Sequence, residues 1–174
     1  MSHIAVADRE AVASIVEQFA GSSWPMDRAA LAAIAERLGW TVMFEVPKGV
    51  YYTTTLPLTP GRADALISDD AANEITVELT DRVGEDDEQA QEDLLVAFTQ
   101  LRTLTEGLLG EPAAVRRGAS PRITWDLDNG GRVAVHRLPA VVKLIVLQKL
   151  FADLERFEES RGMPSDRDPL AAED

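Results

Sequence analysis

Thirty carboxylates, two histidines and no cysteine are what this 174-residue chain has for doing chemistry. Without cysteine, disulfides, thiolate metal sites and thiol nucleophiles are excluded by composition. His3 lies at the N-terminus, which reads as frayed, and His136 lies beside Arg137 in a strand pattern. No His-x-x-x-His or His-Glu-x-x-His spacing exists, so a histidine metal site lacks ligands. Ser120 precedes a proline and has no Gly-x-Ser-x-Gly elbow to make it a nucleophile. Neither Gly-x-x-x-x-Gly-Lys-Ser/Thr nor Gly-x-Gly-x-x-Gly occurs, so nothing cradles a phosphate. Asp126-Leu127-Asp128-Asn129-Gly130 starts like a calcium loop, but Arg132 and Val133 follow where later ligands are needed, and a hairpin turn accounts for the segment. Acid–base work by paired carboxylates depends on closeness in space, which thirty acids leave open. The expectation is a protein that is not an enzyme and holds no metal or cofactor.

Charge is the informative property. The net charge is −13, and eleven acids against one base, Arg82, fall between Asp69 and Asp93. A concentrated excess directs a field, whereas a uniform one merely aids solubility. Glu74, Glu78, Asp81 and the run from Glu85 to Glu88 read as a solvated face or as a surface for a basic partner. Such a surface repels phosphates, so nucleic acid is not an expected partner. Arg116, Arg117, Arg122, Arg132 and Arg137 are expected to pair internally with acids.

These residues need a scaffold, and the patterning supplies one. Asp8 caps a first helix with apolar Val12, Ile15, Val16 and Phe19, and Asp27 caps a second with Leu31, Ile34 and Leu38, ending at Gly39. From Trp40 the period becomes two, placing Trp40, Val42, Phe44 and Val46 on one face; residues 50–56 return as a second strand. Residues 57–73, with two prolines, a glycine and several Asp and Ser, read as a long contact loop. Glu74 to Asp81 alternates as a strand, and the acids of residues 85–88 open a long third helix through Leu94, Leu95, Phe98, Leu101, Leu104 and Leu108. Ile123, Trp125 and Leu127 pair across a turn with Val133 and Val135. Residues 141–147 suit a buried strand or a helix start, and Leu147, Leu150, Phe151, Leu154 and Phe157 mark a last amphipathic helix. The order ααβββαβββα predicts a two-layer α+β fold, a mainly antiparallel sheet of five to six strands with helices on one face. One domain over residues 1–162 is expected, with a flexible acidic tail at 163–174. No apolar run reaches the roughly 18 residues of a membrane span, and no leader marks secretion, so the expected address is the cytoplasm.

The chain length, the acidity and the run Ile123-Thr124-Trp125-Asp126-Leu127 to Arg132-Val133-Ala134-Val135-His136 resemble small acidic immunity proteins of bacterial polymorphic toxins. Within these the chain looks most like actinobacterial immunity factors against NAD-glycohydrolase toxins of the tuberculosis necrotizing toxin type. The resemblance implies an antitoxin that occludes the active site of a cognate secreted toxin with a basic surface. The expected contact residues are Pro60, Gly61, Arg62, Ser68, Asp69, Asp70, Glu74 and Glu78, together with Glu85, Asp86, Asp87 and Glu88. The element order also resembles secretion chaperones, which hold an effector in the cytoplasm and should expose a long apolar groove. A small carboxylate-dependent enzyme is the third reading.

Overall fold

A computed structural model describes residues 3–162 of the chain; the expected acidic tail lies outside them. Helices α1 (Arg9–Ala20) and α2 (Arg28–Arg37) begin where the sequence places them. Asp8 and Asp27 each accept a hydrogen bond from the backbone N–H three residues on, at 2.8 Å, satisfying a donor the first turn leaves free. From His3 on, the chain before α1 is pinned rather than frayed. His3 N–H donates to Asp93, Ala5 N–H donates to Asp81, and Val6 bridges Thr80.

Eight strands follow, forming one sheet: β1 (Thr41–Val46), β2 (Gly49–Thr53), β3 (Arg62–Ser68), β4 (Ala71–Glu78), β5 (Ala114–Arg116), β6 (Arg122–Asp126), β7 (Arg132–Arg137) and β8 (Val142–Leu147). The order is β1-β2-β3-β4-β8-β7-β6-β5, with every pairing antiparallel. Each half is thus a four-stranded meander, and the halves join where β4 meets β8. Helix α3 (Glu88–Leu109), capped by Asp87, connects them; α4 (Lys149–Ser160) closes the chain.

The α+β class holds, while the expected five or six strands become eight. The main omission is β3, inside the stretch expected to be a loop. Its inward positions are Ala63, Ala65 and Ile67, so two of three core contacts are made by alanine, which signals a strand weakly. Its turn into β4 is Asp69-Asp70, both at positive φ, a two-residue connection matched to the twist of the strands. Residues 141–147 resolve as a strand, β8. The alternation expected from Trp40 also fails in part. A bulge between Val42 and Phe44 breaks the register of β1 on β2, and all six residues of β1 are exposed.

The inner face of the sheet carries Ile75, Val77, Trp125, Val133, Val135, Leu144 and Val146, which pack with Val12, Phe19, Leu31, Ile34, Leu94 and Leu101 of the first three helices. Helices were expected on one face only, yet α4 lies on the other. There Phe151 packs on Ala134, Ile145 and Leu147, side chains that alternate with the inner set. Helix α4 also turns an unexpected side to the sheet. It buries Ala152 and Glu155 and leaves Leu150, Leu154 and Phe157 exposed. Among the described residues no helix is long and apolar enough to cross a membrane.

Candidate binding face

The outer face is where polar chemistry collects, because every second residue of β4, β6, β7 and β8 points there. Arg116, Arg122, His136, Lys143 and Glu78 sit on β5, β6, β7, β8 and β4 as successive cross-strand partners, and Arg62 on β3 falls beside Glu78. A single transverse ladder of ionisable groups therefore crosses six strands. The guanidinium Nη2 of Arg116 lies 3.2 Å from His136 Nε2; since a guanidinium can only donate, that nitrogen accepts.

Over the β6–β8 half, α4 caps the ladder with Glu155. Its two oxygens take Arg122 Nη2 at 3.1 Å and Arg132 Nη1 at 3.3 Å, all three side chains being buried. Arg132 reaches further to Asp126 at 2.8 Å and Glu159 at 2.7 Å, and Arg156 reaches Asp126 at 2.6 Å. Burial alone would draw the Arg132 guanidinium down, but its bonds to Glu159 and Asp126 outweigh that and hold it above its ordinary value. Burial likewise would raise the Asp126 carboxyl, and the hydrogen bonds from Arg132 and Arg156 instead hold it low. Burial pulls Arg122 down, opposed by Glu155. The expectation of internally paired arginines is met at Arg122 and Arg132.

Two cavities flank Lys143. One, of about 220 Å³, lies under the edge of α4 among Arg116, Arg122, His136, Lys143, Glu74 and Glu155. The other, of about 370 Å³, lies over β1–β4 among Met43, Phe44, Tyr51, Arg62, Asp64 and Glu78. Glu78 bonds Arg82 through one oxygen, while the other, buried, meets no hydrogen-bond donor. Asp64 is raised above the ordinary carboxylate range by burial, with Lys143 opposing and Glu78 adding to the shift. A folded-state pKa above the unfolded one means stability fully present below the unfolded value and lost as pH rises through the folded one. Asp64→Asn, which mimics the protonated form, is therefore expected to hold or raise the melting temperature at pH 7 and to flatten its pH dependence between about 4 and 7. A clear destabilisation at pH 7 would count against this assignment.

Beyond this cavity the β1–β4 half has no helix over it. Phe44 stacks on Tyr51 with ring centroids 4.4 Å apart, and Val46 and Leu66 extend the same exposed apolar patch. The contact residues expected from sequence do not form one surface. Arg62, Glu74 and Glu78 lie on the outer face. Pro60 and Gly61 occupy the β2–β3 turn, and Ser68, Asp69 and Asp70 lie at the β3–β4 turn, where Asp70 pairs with Arg28 at 3.6 Å. Glu85, Asp86, Asp87 and Glu88 lie beyond the other end of β4, roughly 25 Å of strand away. Several acids of the run are structural: Asp81 accepts from Ala5 and Thr59, Asp87 caps α3, and Asp93 accepts from His3 and Gln89. Lys143, His136 and Glu155 were not singled out as site residues by sequence. Among the described residues no group of three or more His, Asp or Glu is placed to hold a metal ion.

The fold and face define an α+β protein with one half-covered antiparallel sheet. Residues 10–148 match the model of the Family of unknown function (DUF6301), and the chain belongs to that family. Comparison with the curated proteins and with the solved structures gives no match.

Proposed function

We propose that this protein is a non-catalytic binding module that takes an extended segment of a partner polypeptide onto the free edge of β1. The observation that carries the reading is the contrast between the two edges of the sheet. At one edge β5 is three residues long and ends in Arg116, a short charged edge of the kind that resists pairing with another chain. At the other, β1 runs for six residues, exposes Val42, Met43, Phe44 and Val46, and offers Glu45 as its sole charge. The bulge at Val42–Phe44 interrupts this edge, and Arg28 takes the Val46 carbonyl. The rest is an exposed apolar edge, a template for strand addition in which main-chain hydrogen bonds give affinity and side-chain pockets give specificity. The cavity bordered by Met43, Phe44 and Tyr51 is such a pocket. The partner class that fits is a secreted effector held in the cytoplasm in extended form.

A second reading, neutralisation of a folded basic toxin, is favoured by one observation. Glu85, Asp86, Glu88 and Glu92 are exposed around the start of α3 and make no salt bridge among the described residues. The test is co-expression with the products of adjacent genes, followed by affinity measurement and scoring of toxicity. Met43→Lys is expected to weaken the complex about tenfold or more while leaving its salt dependence unchanged. Reversing the charges at Glu85, Asp86, Glu88 and Glu92 should alter the association rate if the partner is a folded basic toxin, and leave it alone if the edge binds. An unchanged affinity in Met43→Lys would remove the edge as the site.

A further inference from the structure

Among the described residues two apolar surfaces on the outer face remain uncovered except for Arg161, whose guanidinium lies 5.0 Å from the Phe157 ring centroid, and they have complementary shapes. One is the stripe Leu150, Leu154 and Phe157 on α4, with Leu150 67% and Phe157 55% exposed. Spaced four and three residues apart, the three side chains share one helix face, opposite the face through which Ala152 and Glu155 seat the helix. The other is the patch Phe44, Val46, Tyr51 and Leu66 on the bare half of the sheet, with Phe44 51% and Leu66 48% exposed. An amphipathic helix with its apolar side outward, and a sheet half with no layer over it, each lack the covering that folds of this kind require.

We infer that the occupant of both is a second copy of this chain, in a twofold dimer in which the α4 stripe of each copy lies on the bare β1–β4 half of the other. Three features select a second copy. Helix α4 raises one half of the outer face by about 10 Å, the diameter of a helix, and leaves the other half flat, so the face is a step that fits its own twofold image. The charges match as well. Arg62 and Lys143, around the bare half, and Glu158, beside the stripe, make no salt bridge among the described residues, whereas Asp153 on the stripe's other flank is already held by Lys149 and Arg156. Finally, seven half-exposed large apolar side chains per copy, counted on both copies, bring the buried area to the order of 1,000 Å², where stable interfaces begin. The backbone edge of β1 stays open in this dimer, but Phe44 and Tyr51 would be covered, so the dimer competes with the side-chain pocket of the strand-addition reading while leaving the edge itself free.

The test uses the purified full-length chain alone, with no partner present. Sedimentation equilibrium is expected to give a dimer at micromolar concentration. Phe157→Lys and Leu66→Lys, both at exposed positions, should each raise the dissociation constant at least about 100-fold, since one substitution is repeated in both symmetric contacts; circular dichroism checks that each variant is folded. Because the chain has no cysteine, Phe157→Cys and Leu66→Cys chains mixed under mild oxidation report the contact directly, and the 157–66 disulfide should dominate. A wild-type monomer at all concentrations up to about 100 μM would overturn the inference. So would a dimer linked mainly 157 to 157, which indicates helix-on-helix pairing, or one that Leu66→Lys leaves intact.

Discussion

Glu155→Ala is expected to lower the unfolding free energy by about 3–5 kcal/mol, read as a shift in the urea midpoint. The carboxylate stands between the guanidinium groups of Arg122 and Arg132, with both partners and Glu155 itself almost fully buried. Removing it leaves Arg132 its bonds to Asp126 and Glu159. Arg122 keeps no salt bridge among the described residues and only the longer-range attraction of Glu74, so its desolvated cation is poorly compensated and the cost falls there. A double-mutant cycle with Arg122→Met separates the two contributions, because an apolar side chain at 122 removes the stranded charge. The double variant should recover much of the loss. If Glu155→Ala costs less than about 1 kcal/mol, α4 is not held by this pair. Acid should act on the same seat. Asp126 has a folded pKa below its unfolded one, so its contribution is present above about pH 4, the unfolded value, and disappears as pH falls through the lower folded value.

The difference between what could be read from sequence and what could not follows the range of the interaction. Asp8 and Asp27 as caps, the acids of residues 85–88 at the start of α3, and the hairpin across residues 127–131 are local arrangements within a few residues, and they appear as expected; that Asp87 is the cap is added by the structure. The hairpin is fixed further by Asn129, which donates to the Phe19 and Ser22 carbonyls and accepts from Gly131 N–H. Strand β3 fell out because alanine at 63 and 65 gives small apolar contacts, and because Asp69-Asp70 reads as loop composition when it is a tight turn. Helix α4 shows a different limit. Its amphipathic period was legible, but a hydrophobic stripe does not say which surface it meets, and here a buried carboxylate, with Phe151 and Ala152 but not Leu150, Leu154 or Phe157, seats the helix.

The candidate face was partly visible. Glu74 and Glu78 point to the outer face as the alternation along β4 places them, but Glu78 is buried there rather than solvated. The rest of the ladder depends on β4 meeting β8, residues 74–78 pairing with 143–147, a register that no local pattern fixes. One signal did exist. Arg122, Thr124 and Asp126 across from Arg132, Ala134 and His136 place four charged or titratable side chains on one face of a hairpin whose other face is wholly apolar. In an antiparallel pair open to water those positions would be solvated; here Arg122, Arg132 and His136 are buried and only Asp126 is exposed, which required a covering element carrying opposite charge. Glu155, in a helix rich in leucine and phenylalanine, is that element. The exposed acids of residues 85–88, by contrast, were legible as charge but lie far from the face.

Trp125→Ala should be about as damaging as the loss of Glu155, costing about 3–5 kcal/mol in the same unfolding measurement, for a different reason. The indole is almost wholly buried on the inner face, in the cluster that joins α3 to the sheet, so truncation opens a large cavity lined by rigid neighbours. It also makes a specific bond: Nε1–H donates to the Gly110 carbonyl at 2.9 Å. Gly110 ends α3 at a positive φ, and carbonyls at a helix end have no partner within the helix. The indole thus fills the core and satisfies the end of α3. Trp125→Phe keeps most of the ring and deletes the donor, so it separates these roles. It should cost about 1–2 kcal/mol, with amide exchange rising in the last turn of α3, around residues 105–110, more than in β6. Equal loss from both substitutions would mean that the hydrogen bond, not the volume, dominates. A uniform rise in exchange across the sheet with Trp125→Phe would mean that the bond does not hold the helix end.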